Sequence, residues 1–371
     1  GATRVIVEID DERFEVWARG RALRQRVSGW RGGERMRVAG DRVALDAARS
    51  RRVAWQHVVG AFDLDWAADK DPGPPLARAS NRVRGAIEAA AAHLPPDAGA
   101  LFRGLVVGDD RDQRPDTIEV FRASGLSHLT AVSGQNVAFL LAAAGPLLVR
   151  MRPVPRWLIT LALIAWFVSL TRFEPSIVRA GTMAAFSATA FLFGAVGSAV
   201  RNLGLAVIVL VLVDPLIVGS VGFWLSVGAT LGVTAAGPRI AELLQPLGRL
   251  ATPAGVTLGA QLGVALPALL VFGRLPLVSI PANLLAVPIA GAVMLYGLPA
   301  GLLAGIVEPL APVLMAPAHV GVWWVDLVAH VAADVEPAPG RAVTGWAVLG
   351  SGLLALAVRR RFRMRHRPAR N

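Results

Sequence analysis

From residue 129 onward, long apolar segments dominate the chain and limit what it can fold into. Hydrophobic residues make up 54% of the sequence and charged residues 17%, against about 25% charged in a typical globular protein. A helix needs about 20 apolar residues to cross the hydrocarbon core of a bilayer, and about nine segments approach that length. The sequence therefore predicts a polytopic α-helical membrane protein. The segments are 129–149, 157–171, 176–196, 203–218, 220–236, 256–272, 279–303, 311–333 and 342–358.

Basic residues alternate between the loops of these segments. Short cytoplasmic loops collect Lys and Arg, which gives a rule for orientation. If the first helix runs from outside to inside, arginines fall on the cytoplasmic side and acidic residues on the other. The pattern predicts an external N-terminal part and a basic cytoplasmic tail at 359–371. The cytoplasmic loops then hold Arg150, Arg152, Arg156, Arg201, Arg239 and Arg249, and the external loops hold Glu174, Asp214, Asp334 and Glu336.

Residues 1–68 have a different character, with short alternating runs broken by Gly and Asp turns. Five short strands of this kind predict a small all-β domain, an OB-like barrel. Its residues Trp17, Trp30 and Trp55 either fill a small core or stack on the bases of single-stranded nucleic acid.

A proline- and glycine-rich stretch, DKDPGPP, ends the β domain and opens a segment at 69–97. Residues 76–93 form an amphipathic helix with Arg78, Arg82 and Arg84 on one face. Such a helix lies on a membrane surface or packs on protein. Residues 98–358 then form the transmembrane domain.

The stretch HLTAVSGQNVAFLL at 128–141 places polar groups where an apolar helix begins. One hypothesis is an intramembrane hydrolase, with Ser133 as nucleophile, His128 as base and Asp109 in support. A histidine five residues before a serine does not form a triad by itself. The alternative is a helix entry whose polar end faces a wet path while the remainder spans the membrane.

Polar residues inside the apolar segments also need an explanation, because an unpaired polar group in hydrocarbon is costly. They face either protein partners or a water-filled path. Arg179 needs a carboxylate, a cluster of carbonyls or an anionic substrate, and Glu174 is the nearest acidic residue in sequence. Helices broken by Gly and Pro around Arg179 are also typical of a small-anion transporter. No internal duplication is visible between 129–236 and 256–358.

Four blocks in one order carry a resemblance that covers about 104–300. The chain resembles the competence domain of the ComEC family of bacterial DNA-uptake channels. The resemblance implies a channel in the bacterial inner membrane that conducts single-stranded transforming DNA into the cytoplasm. The blocks are GLVVGDDRDQRPDTIEVFRASGLSHLTAVSGQNVAF (104–139), PSIVRAGTMAAF (175–186), DPLIVGSVGFWLSVGATLG (214–232) and PANLLAVP (281–288).

The resemblance also implies channel-lining or gate residues and partners, and the residues themselves show no complete catalytic site, so we expect no enzyme activity. The expected partners are single-stranded DNA, membrane lipid, a cytoplasmic helicase-like motor and a membrane-anchored DNA receptor. The six histidines lack the H-x-H-x-D-H spacing of the metallo-β-lactamase-like domain that many members carry, so we expect no zinc nuclease of that type, no metal and no cofactor. The implied path residues are Asp109, His128, Ser133, Gly134, Arg179, Phe223, Ser226 and Asn283. Asn136 stands where many members have His, a departure from the family pattern, and is expected to line the path as a hydrogen-bonding residue.

Overall fold

A computed structural model describes residues 3–18, 20–130, 133–195 and 197–365 of the chain. The described residues form a small N-terminal sheet, with two α-helices between its strands, followed by fourteen further α-helices, the last of which spans Pro339–Arg365. The predicted class, a polytopic helical membrane protein with a small N-terminal β domain, is confirmed.

The β module contains four strands that form one sheet in the order β1-β2-β4-β3. β1 and β2 are antiparallel neighbours, and β4 pairs with β2 in parallel and with β3 in antiparallel fashion. Asp10 and Asp11, with φ of 52° and 63°, form the β1–β2 turn, where Asp tolerates the left-handed region better than most residues. The strands are β1 (Thr3–Ile9), β2 (Glu12–Ala18), β3 (Arg35–Val43) and β4 (Val58–Asp71).

The module differs in detail from the sequence prediction of five strands in a barrel. Two of the segments between strands are the helices α1 (Arg21–Ser28) and α2 (Ala47–Val53). The described strands make an open sheet, in which β1 and β3 are the edges. Asp46 caps α2 by accepting a hydrogen bond from the Arg49 N–H at 2.7 Å. Such a cap stabilises the start of a helix, so residues 47–53 form a helix here and not a strand.

Helices account for the remainder of the described chain. A π-helical segment, Gly232–Ala236, joins α11 to α12. The helices after the module are α3 (Pro75–Ala91), α4 (Pro96–Val107), α5 (Pro115–Ala123), α6 (Ser127–Thr130), α7 (Gly134–Leu148), α8 (Pro153–Leu170), α9 (Pro175–Leu192), α10 (Ala199–Val213), α11 (Val221–Leu231), α12 (Gly237–Leu243), α13 (Ala251–Phe272), α14 (Ser279–Ile306), α15 (Ala311–Val335) and α16 (Pro339–Arg365).

Five helical stretches of the described chain are long and apolar enough to cross a membrane. Three of the other predicted segments correspond to shorter apolar helices, in α7, α10 and α16. The ninth, α9, is long enough but carries Arg179 and several hydroxyl residues. The five stretches are Pro153–Leu170, Val221–Leu243, Gln245–Phe272, Ser279–Ile306 and Glu308–Val335.

Facing glycines bring α11 and its π-helical extension against α13. A Cβ on Gly263 would clash with the carbonyl oxygen of Gly228, and one on Gly232 would clash with that of Gly259. Small residues at such contacts let two helix backbones approach closely, which is the main source of helix association in lipid. The glycines therefore fix the position of α11, whose other face carries the candidate site.

Several contacts join the β module to the helical domain, three of them through side chains of Arg31, Trp55 and His57. Arg31 donates to Glu88 of α3 at 2.9 Å, and His57 Nε2 lies 3.0 Å from Asp214 Oδ2 after α10. The Cβ of Trp55 lies 3.4 Å from where a Cβ on Gly219 would stand. The module is thus held against α3, through Glu88, and over the turns that precede α9 and α11, through Arg172 and Asp214.

Replacing Gly263 tests the glycine contact. We expect Gly263→Ala to lower the thermal unfolding midpoint of the purified protein in detergent, because overpacking of this kind costs about 1–3 kcal/mol. The matched control is Gly204→Ala in α10, where nothing stands within 4 Å of the added methyl group. Alanine has the higher helix propensity, so this control should be neutral or slightly stabilising. Equal midpoints for the two variants would contradict the packing.

Candidate functional site

Arg179 is a buried cation inside α9, with 4% of the residue exposed. Its Nε donates to the Ser226 hydroxyl of α11 at 2.9 Å, and its Nη1 donates to the sulfur of Met183 at 2.9 Å. A thioether is a weak acceptor. The guanidinium is therefore held in place between α9 and α11 by neutral groups.

Within the described residues, no carboxylate forms an ion pair with Arg179. Glu174, the acidic partner suggested by sequence proximity, lies exposed at the N-cap of α9. Because an unpaired charge in a membrane domain is expensive, Arg179 is the feature of this domain that most needs a functional explanation.

The start of α7 lies directly against Arg179. A Cβ on Gly134 would stand 2.8 Å from Arg179 Nη2 and 2.9 Å from the Cβ of Ala180. Only glycine allows this approach. Next to it, Ser133 donates to the side-chain oxygen of Asn136 at 3.4 Å. Of the sequence-predicted residues at the start of α7, Gly134 therefore lies against Arg179, whereas Ser133 and Asn136 line the small cavity of His128; residues 131–132 between α6 and α7 are outside the described part.

Hydroxyl groups continue from the Arg179 contact along α11. Ser226, Thr230 and Thr234 follow at intervals of four residues, and each threonine donates to the carbonyl four residues earlier, at 2.9 Å and 2.7 Å. Their oxygens keep lone pairs that water can use. Since successive residues turn by about 100°, this hydroxyl stripe faces away from Gly228 and Gly232, the side that packs on α13.

A cavity of about 460 Å³ lies between α7, α8 and α9. Gly134 and Ala180, the neighbours of Arg179, form part of its lining, and Arg156, Trp157 and Phe191 line the opposite end. Most of its surface is apolar. The cavity therefore adjoins the buried cation but is not itself a polar channel.

His128 belongs to a second, much smaller cavity of about 20 Å³, together with Ser133, Gln135 and Asn136. The His128 ring interacts with the backbone of Gly125, whereas Ser133 uses Asn136 as its partner. The described contacts do not link Ser133, His128 and Asp109 into a nucleophile–base–carboxylate relay. Nor do three His, Asp or Glu side chains come together as a metal-binding set anywhere in the described ranges.

Asp109 lies in an arginine cluster formed by Arg84, Arg103, Arg111 and Arg172. Arg111 donates twice to the carboxylate, at 2.7 Å and 2.6 Å. Burial by itself would raise the pKa of Asp109, but the Arg111 hydrogen bonds and charge, with Arg84 and Arg103, lower it to about 2. Asp109 is therefore ionised at every physiological pH and holds the cluster together.

Arg84 was placed by its sequence on the polar face of an amphipathic helix, yet it is buried. Its Nε and Nη2 donate to the carbonyl of Leu170 at 2.9 Å and 2.7 Å, and Nη2 also reaches Val107 at 3.3 Å. Burial, with repulsion from Arg172, lowers its pKa to about 10. Arg84 thus caps the end of α8, and α3 packs on protein. Its helical position separates it from the exposed Arg78 and Arg82, because Arg84 lies about 200° round the helix from Arg82, on the face of the buried Ser80 and Ile87.

The other implied path residues have packing contacts. Phe223 is fully buried, with its ring 5.7 Å from that of Trp224. Asn283 donates to the Ser279 carbonyl of its own helix at 2.6 Å. Neither of these residues has a described contact with Arg179.

The three tryptophans of the β module also contact protein. The Arg49 guanidinium lies 4.7 Å from the ring centre of Trp17, Trp30 packs against the module's core, and Trp55 faces Gly219. Base stacking by these residues stays a prediction. Trp66 on β4, 48% exposed, is a more accessible ring that sequence reasoning missed.

The Asp109 environment predicts a pH-dependent contribution to stability. A folded-state pKa of about 2 lies below the usual value of about 3.9, so the ionised group stabilises the fold by about 2 kcal/mol above pH 5 and loses this as the pH falls from 4 to 2. We expect Asp109→Asn to lower the unfolding midpoint equally at pH 7 and pH 5, with the difference shrinking towards pH 2.

Asp112→Asn is the control for this experiment, because Asp112 pairs with Arg103 at 2.6 Å but is 65% exposed. Exposed ion pairs contribute about 0–1 kcal/mol. A loss for Asp109→Asn no larger than that for Asp112→Asn, or one that persists at pH 2, would contradict the described role of Asp109.

Comparison with known proteins identifies the group to which this architecture belongs. The chain is 31% identical over 214 residues to ComE operon protein 3 of Bacillus subtilis, covering 57% of this chain and 27% of that protein. It is also 31% identical over 265 residues to competence protein ComA of Neisseria gonorrhoeae, covering 66% of this chain and 36% of that protein. The chain thus spans about a third or less of the length of these relatives. No solved structure matches it.

The family model described as "Competence protein" matches residues 105–363. This range begins in α4, includes Asp109, Arg179 and the hydroxyl stripe, and ends in α16. A match over most of a chain with this helical architecture shows its family: the chain is a multi-pass membrane protein that belongs to the competence protein family.

Proposed function

We propose that this chain forms the membrane conduit of a DNA-uptake system and conducts one strand of transforming DNA across the bacterial cytoplasmic membrane. Support comes from membership of the competence protein family and from the names of its relatives. The single observation that carries the proposal is the buried Arg179, which has no carboxylate partner among the described residues. A passing phosphate supplies the missing negative charge.

The route begins at the arginine cluster. Arg172 directly precedes α9, and Arg179 lies four residues inside that helix, about 6 Å along its axis. Arg172 also lies beside Gly32 of the β module, 3.4 Å from where a Cβ on that glycine would stand. A DNA strand that moves from the β module into the membrane domain therefore contacts basic side chains before it reaches Arg179.

The cluster attracts a polyanion without holding it firmly. Its arginines are offset by acidic neighbours, of which Asp109 is the most completely buried. Conduction requires binding strong enough for entry and weak enough for release. The hydroxyl stripe of α11 then offers a wettable surface that does not depend on base sequence.

Gly134 is the proposed gate. Its Cα lies against Arg179 in this structure, and a strand can reach the guanidinium only if the beginning of α7 moves away. The weak Ser133–Asn136 contact at 3.4 Å is the local hydrogen bond that such a movement would break.

The energy source and orientation complete the proposal. In keeping with the family resemblance, a cytoplasmic helicase-like motor pulls the DNA strand, and a membrane-anchored receptor delivers the duplex. The β module lies outside and the basic tail inside, in keeping with the arginines of the predicted inner loops. We assign no catalytic role to Ser133, His128 or Asp109.

The test is uptake of labelled DNA by cells that carry the full-length protein. We expect Arg179→Gln to leave surface binding of the duplex unchanged and to reduce internalised DNA by about 10- to 100-fold. The basis is that hydrogen bonds to charged groups contribute about 1.5–3 kcal/mol. Arg179→Lys keeps the charge and should retain part of the uptake.

Arg249→Gln is the matched control, since Arg249 is exposed in a turn between membrane helices. Immunoblots must show equal membrane levels for all variants. Normal internalisation of DNA by cells with the Arg179→Gln variant, at a normal membrane level, would contradict the proposed conduit. Saturable flux of a small anion that depends on Arg179, with no dependence on DNA, would favour the transporter instead.

A further inference from the structure

The 460 Å³ cavity between α7, α8 and α9 combines an apolar wall with one basic end. Its wall includes Val137 and Leu141 of α7 and Ala184 and Ala188 of α9. Its volume lies within the range of about 300–1,000 Å³ that is usual for small-molecule sites. It is therefore large enough to hold a ligand, and its chemistry indicates which one.

Arginines that lack an acidic partner surround the basic end. Arg156 lines the cavity, with its guanidinium 4.6 Å from the ring centre of Phe191. Arg150 and Arg152 lie in the adjoining α7–α8 turn, where Arg150 donates to the Pro146 carbonyl at 2.8 Å. In the part of the chain that the structure describes, no carboxylate pairs with any of the three. Three positive charges at one end of an apolar cavity favour an amphiphile with an anionic head.

The hydroxyl groups that line the cavity, those of Thr160 and Ser187, already form hydrogen bonds with protein atoms. The Thr160 hydroxyl donates to the Arg156 carbonyl at 2.8 Å, and the Ser187 hydroxyl donates to the Met183 carbonyl at 2.9 Å and accepts from Asn202 at 2.9 Å. Phosphates of a DNA strand would have to shed water here without replacement, which is costly. An acyl chain has no such requirement.

We propose that this cavity binds an anionic phospholipid, with one acyl chain between α7 and α9 and the phosphate at Arg156, assisted by Arg150 and Arg152. Basic sites between membrane helices recognise anionic lipid headgroups in this way. Trp157 lies at the same level, where its indole N–H donates to Thr189 at 3.0 Å, and tryptophan is typical of the depth at which headgroups begin. The lipid fills the space beside Gly134 and supports α7.

The experiment is native mass spectrometry of the full chain, purified in detergent and exchanged with phosphatidylglycerol or phosphatidylcholine of identical acyl chains. We expect the wild type to retain phosphatidylglycerol at least about fivefold more than phosphatidylcholine, which corresponds to one basic contact near a membrane surface. Arg156→Gln should abolish the preference. Arg249→Gln, an exposed arginine away from the cavity, should keep it.

A second variant tests the acyl-chain site. Ala184→Leu projects into the empty cavity and should reduce retention of both lipids, with a normal elution volume and unfolding midpoint as the check on folding. Equal retention of the two lipids by wild type would overturn the proposal, as would equal losses for Arg156→Gln and Arg249→Gln. Displacement by glycerophosphoglycerol, which has the headgroup without the acyl chains, at the same concentration as the lipid would indicate a water-soluble anion site and also overturn it.

Discussion

The position of one charge organises this membrane domain. Arg179 keeps a guanidinium inside a helix bundle, where every polar group needs a partner, and the described partners are a hydroxyl and a thioether. A carboxylate would neutralise the site and leave it inert towards anions. Because Arg179 has no carboxylate partner, the site keeps a strong preference for negative charge. The packing around the guanidinium must offset the free-energy cost of burying it.

That packing depends on glycine. Gly134 lets the beginning of α7 approach Arg179, and the glycines of α11 and α13 hold Ser226 where it can accept from Nε. The two faces of α11 therefore differ: its glycines pack against α13, and Ser226 on the opposite face contacts Arg179. The arginine cluster around Asp109 lies on the side where the β module is attached, with Arg172 beside Gly32 of the module.

The sequence was sufficient for the class of fold because apolar length and basic loops are local properties. It also brought Arg179, Ser226 and Gly134 into one set through the order of four motifs. It did not predict that Arg179 and Ser226 touch, since 47 residues separate them and helix packing determines the contact. Proximity in sequence favoured Glu174 as the partner of Arg179, but Glu174 is exposed at the helix start.

The errors in the β module have the same origin. α1 and α2 are short helices of eight and seven residues that lie between strands, and the parallel pairing of β2 with β4 is a long-range contact that no local pattern specifies. The position of the Arg84 side chain was also predicted wrongly: its sequence pattern placed it on the polar face of its helix, but it is buried. It lies on the face of α3 that carries the buried Ser80 and Ile87, about 200° round the helix from Arg82, and the carbonyls of Leu170 and Val107, supplied by distant helices, make its burial favourable.

The most direct measurement is crosslinking of a strand in transit to the Arg179 site. Residues 1–371 contain no cysteine, so Ser226→Cys introduces a single thiol into this region for a short photo-crosslinker, and Gly204→Cys on α10 serves as the control. Cells are given DNA with a bulky end that stalls entry. The conduit account predicts crosslinks to a single strand from position 226 and not from position 204. Strands that stall inside the protein and crosslink from neither position, or equally from both, would contradict it.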